Sequence, residues 1–216
     1  MMKIDRGLSF LLWLAMVGLS VWAHFHLPDA PLPSHFNING EVDATMPRDQ
    51  VLGLLPAMAF VILLVLWALP AIMPKKVTPD RFAEVYGIVV VAVALLMAAV
   101  HLMLILPALG IPVDGQRGIM FIAGGFFLVI GNYLPKMRRN YLMGIRTPWT
   151  IADERVWEKT HRFAGPWFML SGAVVVGAGF LPDHMLRVVI MIAALAIPAL
   201  VSVVYSYIVS RRLGLT

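Results

Sequence analysis

Six stretches of this chain are apolar over roughly the length of a bilayer crossing, and no other property limits its fold so tightly. They run Leu8–Leu27, Val51–Met73, Glu84–Pro107, Gly118–Pro135, Ala164–Leu181 and Met185–Val209. A helix needs about 20 predominantly apolar residues to cross hydrocarbon. In lipid only a structure that satisfies its own backbone N–H and C=O groups can do so. Composition agrees: of 216 residues, 60% are hydrophobic and 13% charged, well below the charged share of a soluble domain. The first stretch exceeds the apolar part of a signal peptide and no clear small-x-small site follows it, so it reads as a retained helix. The expected fold is all-α, a polytopic membrane helix bundle with six transmembrane helices. Two units are expected. Residues 1–75 form a two-helix unit with an external loop at 28–50, and residues 76–216 form a four-helix unit with a cytoplasmic loop at 136–163.

Charge placement sets the orientation. Of the 17 Lys and Arg residues, only Arg48, Arg117 and Arg187 fall on one side of such a bundle. All the others sit at the chain ends or in the loops after helices two and four. Basic residues collect in cytoplasmic loops, so both termini are expected in the cytoplasm. The net charge of +5 then belongs to those loops, and no direct contact with nucleic acid is expected. The absence of cysteine excludes disulfides, thiolate metal sites, c-type haem attachment and cysteine nucleophiles.

Glycines recur seven apart, two helical turns, as Gly118/Gly125, Gly124/Gly131 and Gly165/Gly172/Gly179, with Ala173 and Gly177 four apart. Such stripes let helix backbones approach closely in lipid, so helices four and five are expected to pack tightly. The loop between them, starting in GNYLPKMRRNYLMGIRTPWT (Gly131–Thr150), gathers most of the polar chemistry. Pro135 ends the fourth helix. Lys136, Arg138 and Arg139 sit at headgroup level, where anionic membrane lipid is the expected partner. Thr150 followed by Asp153 reads as a helix start, giving a short amphipathic helix over Ile151–Ala164. It would present Ala152, Val156, Thr160, Phe163 and Trp167 on one face, pair Glu158 with Arg162, and pass through Gly165-Pro166 into the fifth span. Asn132, Asn140, Gly144, Arg146, Thr147, Trp149, Trp157, Thr160 and His161, with Lys136, exceed what a lipid-anchored connector requires. They form the candidate cytoplasmic site.

Outside, PLPSHFNINGEVD (Pro31–Asp43) carries an Asn39-Gly40 turn signal between short alternating segments, which predicts a small hairpin. Its acidic residues would attract a basic peptide, and His35, Asn37, Asn39, Gly40 and Asp43 are the candidate external ligand-binding residues. His24, His26, His35, His101 and His184 all fall towards this side. They compose an alternative, a zinc or copper site of a membrane enzyme, although no tight ligand spacing supports it; no cofactor is the primary expectation. His101 is the one ionisable group well inside a span. No Asp, Glu, Lys or Arg lies at mid-membrane, which argues against an ion-coupled pump. The lack of a P-loop or a nucleophile–base motif argues against an NTPase and lowers the case for an enzyme. A small-molecule or lipid transporter is a further alternative.

The cytoplasmic segment GNYLPKMRRNYLMGIRTPWT, with VWEKTHRFAG (Val156–Gly165) after it, resembles the signature of the SdpI family of bacterial membrane proteins. LPSHFNINGEVD resembles the N-terminal domain of unknown function commonly joined to that signature. The likeness covers about Leu8–Met73 and Gly118–Gly179. Its motif residues stand here as Gly131, Asn132, Pro135, Lys136, Asn140, Gly144, Arg146, Thr147, Pro148, Trp149, Trp157, Thr160, His161 and Gly165. The resemblance implies a multi-pass protein of the bacterial cytoplasmic (inner) membrane. It also implies immunity to a secreted peptide toxin met at the external face, and signal relay through a small ArsR-type repressor held at the cytoplasmic face.

Overall fold

The computed structural model describes residues 3–72 and 80–215, with side chains over 6–71 and 83–215. Lys75 and Lys76 and the end of the second expected span lie outside the described residues. The chain folds as helix α1 (Lys3–His26), a two-stranded antiparallel hairpin β1 (Leu32–Phe36) and β2 (Val42–Met46), then α2 (Arg48–Ile72) and α3 (Asp80–Ile105). After a 3-10 turn come α4 (Gly115–Tyr133), the short α5 (Pro148–Ala152), α6 (Glu154–Ala178) and α7 (His184–Arg212). The fold is a membrane helix bundle, and α1, α2, α3, α4 and α7 are long and apolar enough to cross a bilayer.

The sixth expected span is the second half of α6. The first half of α6 carries Glu154, Arg155, Glu158, Lys159 and Arg162, so only residues 163–178 are free of charge. At 1.5 Å per residue that apolar part is about 24 Å long, short of the ~30 Å hydrocarbon core. The helix also begins differently from expectation. A break at Asp153, whose backbone is extended, divides Ile151–Ala164 between α5 and α6. Its carboxylate accepts from the Arg155 N–H and so caps α6. No break occurs at Gly165-Pro166, and α6 runs through Pro166.

Prolines inside α2 explain how the first three helices are fastened. A proline lacks the N–H that would bond the carbonyl four residues back, and in hydrocarbon that carbonyl must find another donor. Pro56 frees the Leu52 carbonyl, which accepts from the Ser20 hydroxyl of α1 at 2.8 Å. Pro70 frees the Leu66 carbonyl, which accepts from the Tyr86 hydroxyl of α3. Around these bonds Leu63, Tyr86, Val90 and Ala94 form one buried cluster, and Ala23, Val51, Leu52, Met103 and Ile105 another near the hairpin.

In the second half, α4 packs on α6 and α6 on α7. A Cβ added to Gly124 or Gly172 would stand 2.8 or 2.6 Å from the other's carbonyl oxygen, and one on Gly131 or Gly165 would stand 2.8 or 2.9 Å from the other's. The helices therefore cross antiparallel, glycine on glycine, one stripe from each series. Gly179 faces Phe121, and Gly118 faces Met103 of α3. Gly125 and Gly177 open onto empty space, so their stripes take no part in this contact.

Candidate functional site

The segment between α4 and α6 folds into a node held by its own backbone. Thr147 begins α5, with Pro148 in its first turn. The Thr147 hydroxyl accepts from the Thr150 N–H at 3.2 Å, and the Thr150 hydroxyl accepts from the Thr147 N–H at 2.9 Å. The helix start is thus Thr147, three residues before the expected one; Thr150 supplies the return half of the capping box. Thr147 also hydrogen-bonds Ser206 at 3.1 Å, tying the node to α7. Asn140, 1% exposed, accepts from the Leu142 and Met143 N–H groups at 2.8 and 2.9 Å and donates to the Arg138 carbonyl. One buried amide thereby shapes the whole turn.

Trp157 and His161 are fully buried and stacked, with centroids 4.0 Å apart. Trp157 donates through Nε1 to the Met137 carbonyl at 2.8 Å. His161 bonds the Trp157 carbonyl through Nδ1 at 2.8 Å, and its Nε2 accepts from the Ile145 N–H at 3.0 Å. A carbonyl only accepts and an N–H only donates, so the ring is the neutral Nδ1–H tautomer. Burial pushes its pKa down to about 4, with the Trp157 carbonyl opposing. Gly144 has φ +110°, and a side chain there would strike His161 Nε2 at 2.5 Å; glycine alone fits.

The sequence grouped ten residues here, and the structure sorts them. Asn140, Gly144, Trp157 and His161 form the centre of the node. Thr147 joins it to α7, and Trp149 packs half-buried against Tyr207. The Thr160 hydroxyl is buried without a hydrogen-bond partner. Asn132, Lys136 and Arg146 are exposed, and Arg146 makes no hydrogen bond or ion pair with the described residues. The buried face of α6 is Val156, Trp157, Thr160, His161 and Ala164, displaced from the expected stripe, since Trp167 is exposed. Glu158 pairs with Arg138 at 2.7 Å across the loop rather than with Arg162. Ser206 had no assigned place, and Thr150, expected to start the helix, instead partners the Thr147 cap. The Thr147-Pro148 dipeptide, a cap followed by proline in the first turn, was the available signal for this capping box.

On the opposite end, the hairpin forms around Asn37, whose side chain accepts from the Asn39 and Glu41 N–H groups at 2.9 and 3.0 Å and donates to the Glu41 carboxylate. His35 pairs across the strands with Asp43 at 2.6 Å. Gly40, at φ +82°, brings its carbonyl to the Gly115 N–H, 2.9 Å away, so the hairpin tip is clipped to the first residue of α4. Beside it Arg187, 0% exposed, donates to Asp114 at 2.9 Å, to Gln116 at 3.1 Å and to the Leu181 carbonyl at 2.7 Å. Burial works against the Asp114 carboxylate, but the Arg117 N–H and the Arg187 guanidinium hold its pKa below the ordinary value. Arg187 therefore joins α7 to the start of α4, a role that counting it as a loop charge had missed.

The five histidines expected towards the outer side do not converge. His24 bonds Asp49, His26 the Trp22 carbonyl, His35 Asp43 and His184 Gln116. His101 donates to Ser20, whose own proton goes to Leu52, so it braces the proline-freed carbonyl. Among the described residues no three His, Asp or Glu side chains form a metal-holding group.

These features define a polytopic helical membrane protein with a clipped hairpin at one end and a histidine-centred backbone node at the other. Residues 136–206 match the SdpI/YfhL protein family, and residues 11–60 match a domain of unknown function, DUF1648. The chain is 29% identical over 120 residues to the immunity protein SdpI of Bacillus subtilis (strain 168), covering 56% of this chain and 58% of that protein. It is 31% identical over 83 residues to the uncharacterized protein YfhL of the same organism, covering 37% of this chain and 72% of that one. No solved structure matches. The chain belongs to the SdpI/YfhL family.

Proposed function

We propose that this protein is an immunity protein of the bacterial cytoplasmic membrane that meets a peptide or protein at its outer hairpin and relays that binding to the cytoplasmic node. One observation carries the relay: the hairpin tip is hydrogen-bonded to the first residue of α4, and the far end of α4 leads directly into the node. A ligand that bound one position of the hairpin more tightly would bias α4, and through the glycine contact α6 as well. The name of the SdpI relative supports the immunity role, and the asymmetry of basic residues supports a cytoplasmic node with both termini on that side. The apolar half of α6 completes a sixth crossing in this reading. His35, Asn37, Asn39, Gly40 and Asp43 supply the outer contact surface. Arg146, exposed beside the node, faces an acidic cytosolic partner, for which a small ArsR-type repressor is the proposed candidate.

The test is survival of a susceptible bacterial strain challenged with secreted membrane-active peptides, with and without the chain. Protection by the full chain, weakened by Asn39→Ala at unchanged membrane level, is expected. Arg146→Ala should keep protection by direct ligand capture while abolishing recruitment of the repressor. No protection against any peptide, with the chain at normal level in the membrane, would overturn the reading.

A further inference from the structure

Helices α3 and α4 leave a trough between them that the proposed relay does not use. Its apolar part, about 430 Å³, lies between Ala92, Leu96 and Ala99 of α3 and Ile122, Gly125 and Val129 of α4. A separate, charged pocket of about 620 Å³ follows along the same two helices, lined by Glu84, Tyr133, Lys136, Arg138, Glu158 and Arg162. The two pockets are in register. Val129 and Tyr133 are one helical turn apart, and Val85, which also lines the charged pocket, is two turns before Ala92, so each pair shares a helix face. Gly125 keeps the trough open, since a Cβ there would meet nothing within 4 Å.

Length and charge identify the occupant. Tyr133 to Ile122 spans about 17 Å at 1.5 Å per residue, close to the ~15 Å of hydrocarbon in one leaflet. In the charged pocket Arg138 is committed to Glu158 at 2.7 Å. Lys136 lies 4.6 Å over the Tyr133 ring, which leaves its N–H groups free to donate outward. Arg162 is exposed and makes no hydrogen bond or ion pair with the described residues. Two uncommitted cations against the single acid Glu84 leave one positive charge for a phosphodiester. We infer that the trough holds one anionic phospholipid, its phosphate between Lys136 and Arg162 and one acyl chain along the α3–α4 groove. The acyl chain covers an apolar face that would otherwise pack only against bulk lipid, and the headgroup fixes its depth.

Native mass spectrometry of the full chain, purified in detergent and supplied with phosphatidylglycerol, phosphatidylcholine or inorganic phosphate, tests this. One retained phosphatidylglycerol per chain is expected, preferred over phosphatidylcholine by about tenfold or more. The double variant Lys136→Gln, Arg162→Gln should lose that preference. Gly125→Leu, which fills the groove, should lose retention, whereas Gly177→Leu, which also enters open space but elsewhere, should keep it. Melting curves for each variant separate lost binding from lost folding. Retention unchanged by both groove and charge substitutions, or no retained lipid at all, overturns the proposal. Displacement by inorganic phosphate would make this a free-anion site, and a dimer mass abolished by Gly125→Leu would give the groove to a second copy; either result also overturns it.

Discussion

The protein carries a buried histidine, His161 of α6, at one end of its bundle and an exposed one, His35 of β1, at the other, and their surroundings are built on opposite physical terms. His161 is 0% exposed, stacked on Trp157, and bonded only to backbone groups, one carbonyl and one N–H. His35 has a side chain 68% exposed and bonded to another exposed side chain, Asp43. The His161 ring therefore shapes the chain around itself, while the His35 ring decorates a hairpin whose form comes from Asn37 and Gly40. A buried ring with both nitrogens used cannot move without unfolding its surroundings. An exposed pair exchanges partners at little cost. The two ends thus differ in kind: exchangeable contacts at the hairpin, a fixed geometry at the node, and between them a helix pair with almost no slack.

That contrast can be broken most severely at the helix pair. Gly172→Leu would drive a side chain into the Gly124 carbonyl and the Leu128 N–H, with an expected cost above about 3 kcal/mol; thermal melting in detergent and membrane accumulation should both collapse. Arg187→Met removes the buried partner of Asp114 and Gln116 and should cost about 3 kcal/mol, read as a lowered melting temperature with the inner node intact. Gly144→Ala strains a φ of +110° and crowds His161, at about 2 kcal/mol. Proteolysis between Asn140 and Thr147 should rise accordingly.

Acid gives a gentler probe of the same node. The folded pKa of His161 is pushed down to about 4 from the ordinary 6.5, so the unfolded chain takes up the proton first as pH falls. Stability held by the neutral ring is complete above about pH 6.5 and drains towards about pH 4, by at most about 3 kcal/mol. Melting temperatures should fall over that window, and less so in His161→Gln. The smallest effect is at the hairpin: His35→Ala should change stability by about 0.5 kcal/mol or less, with loss of the proposed protection but an unchanged melt.

Much of this architecture was legible because it follows from local rules. Apolar length located the five helices long enough to cross a bilayer, Asn39-Gly40 located the hairpin turn, and glycines seven apart located the α4–α6 contact. What escaped depends on partners distant in sequence. Arg187 reads as a loop cation until Asp114, the residue that caps α4, is brought beside it. Glu158 reads as a partner of Arg162 until the loop delivers Arg138. The stripe containing Gly125 has the same spacing as its neighbour, and only the rotation of α4 decides which one meets α6. His101 looks functional inside a span because its partner Ser20, committed to the Leu52 carbonyl that Pro56 frees, cannot be seen from α3. In the node, the residues were recognisable as a set, but their sorting into buried centre and exposed rim was not, since a buried amide such as Asn140 and an exposed one such as Asn132 have the same chemistry in the sequence.

The two ends must face opposite sides of the membrane for any of this to operate. The chain has no cysteine, so Asp43→Cys and Arg146→Cys, both at exposed positions, give single reporters for a membrane-impermeant thiol reagent. Asp43→Cys should label in intact cells stripped of their wall, and Arg146→Cys only in inverted vesicles. Labelling of both positions from the same side would contradict the account.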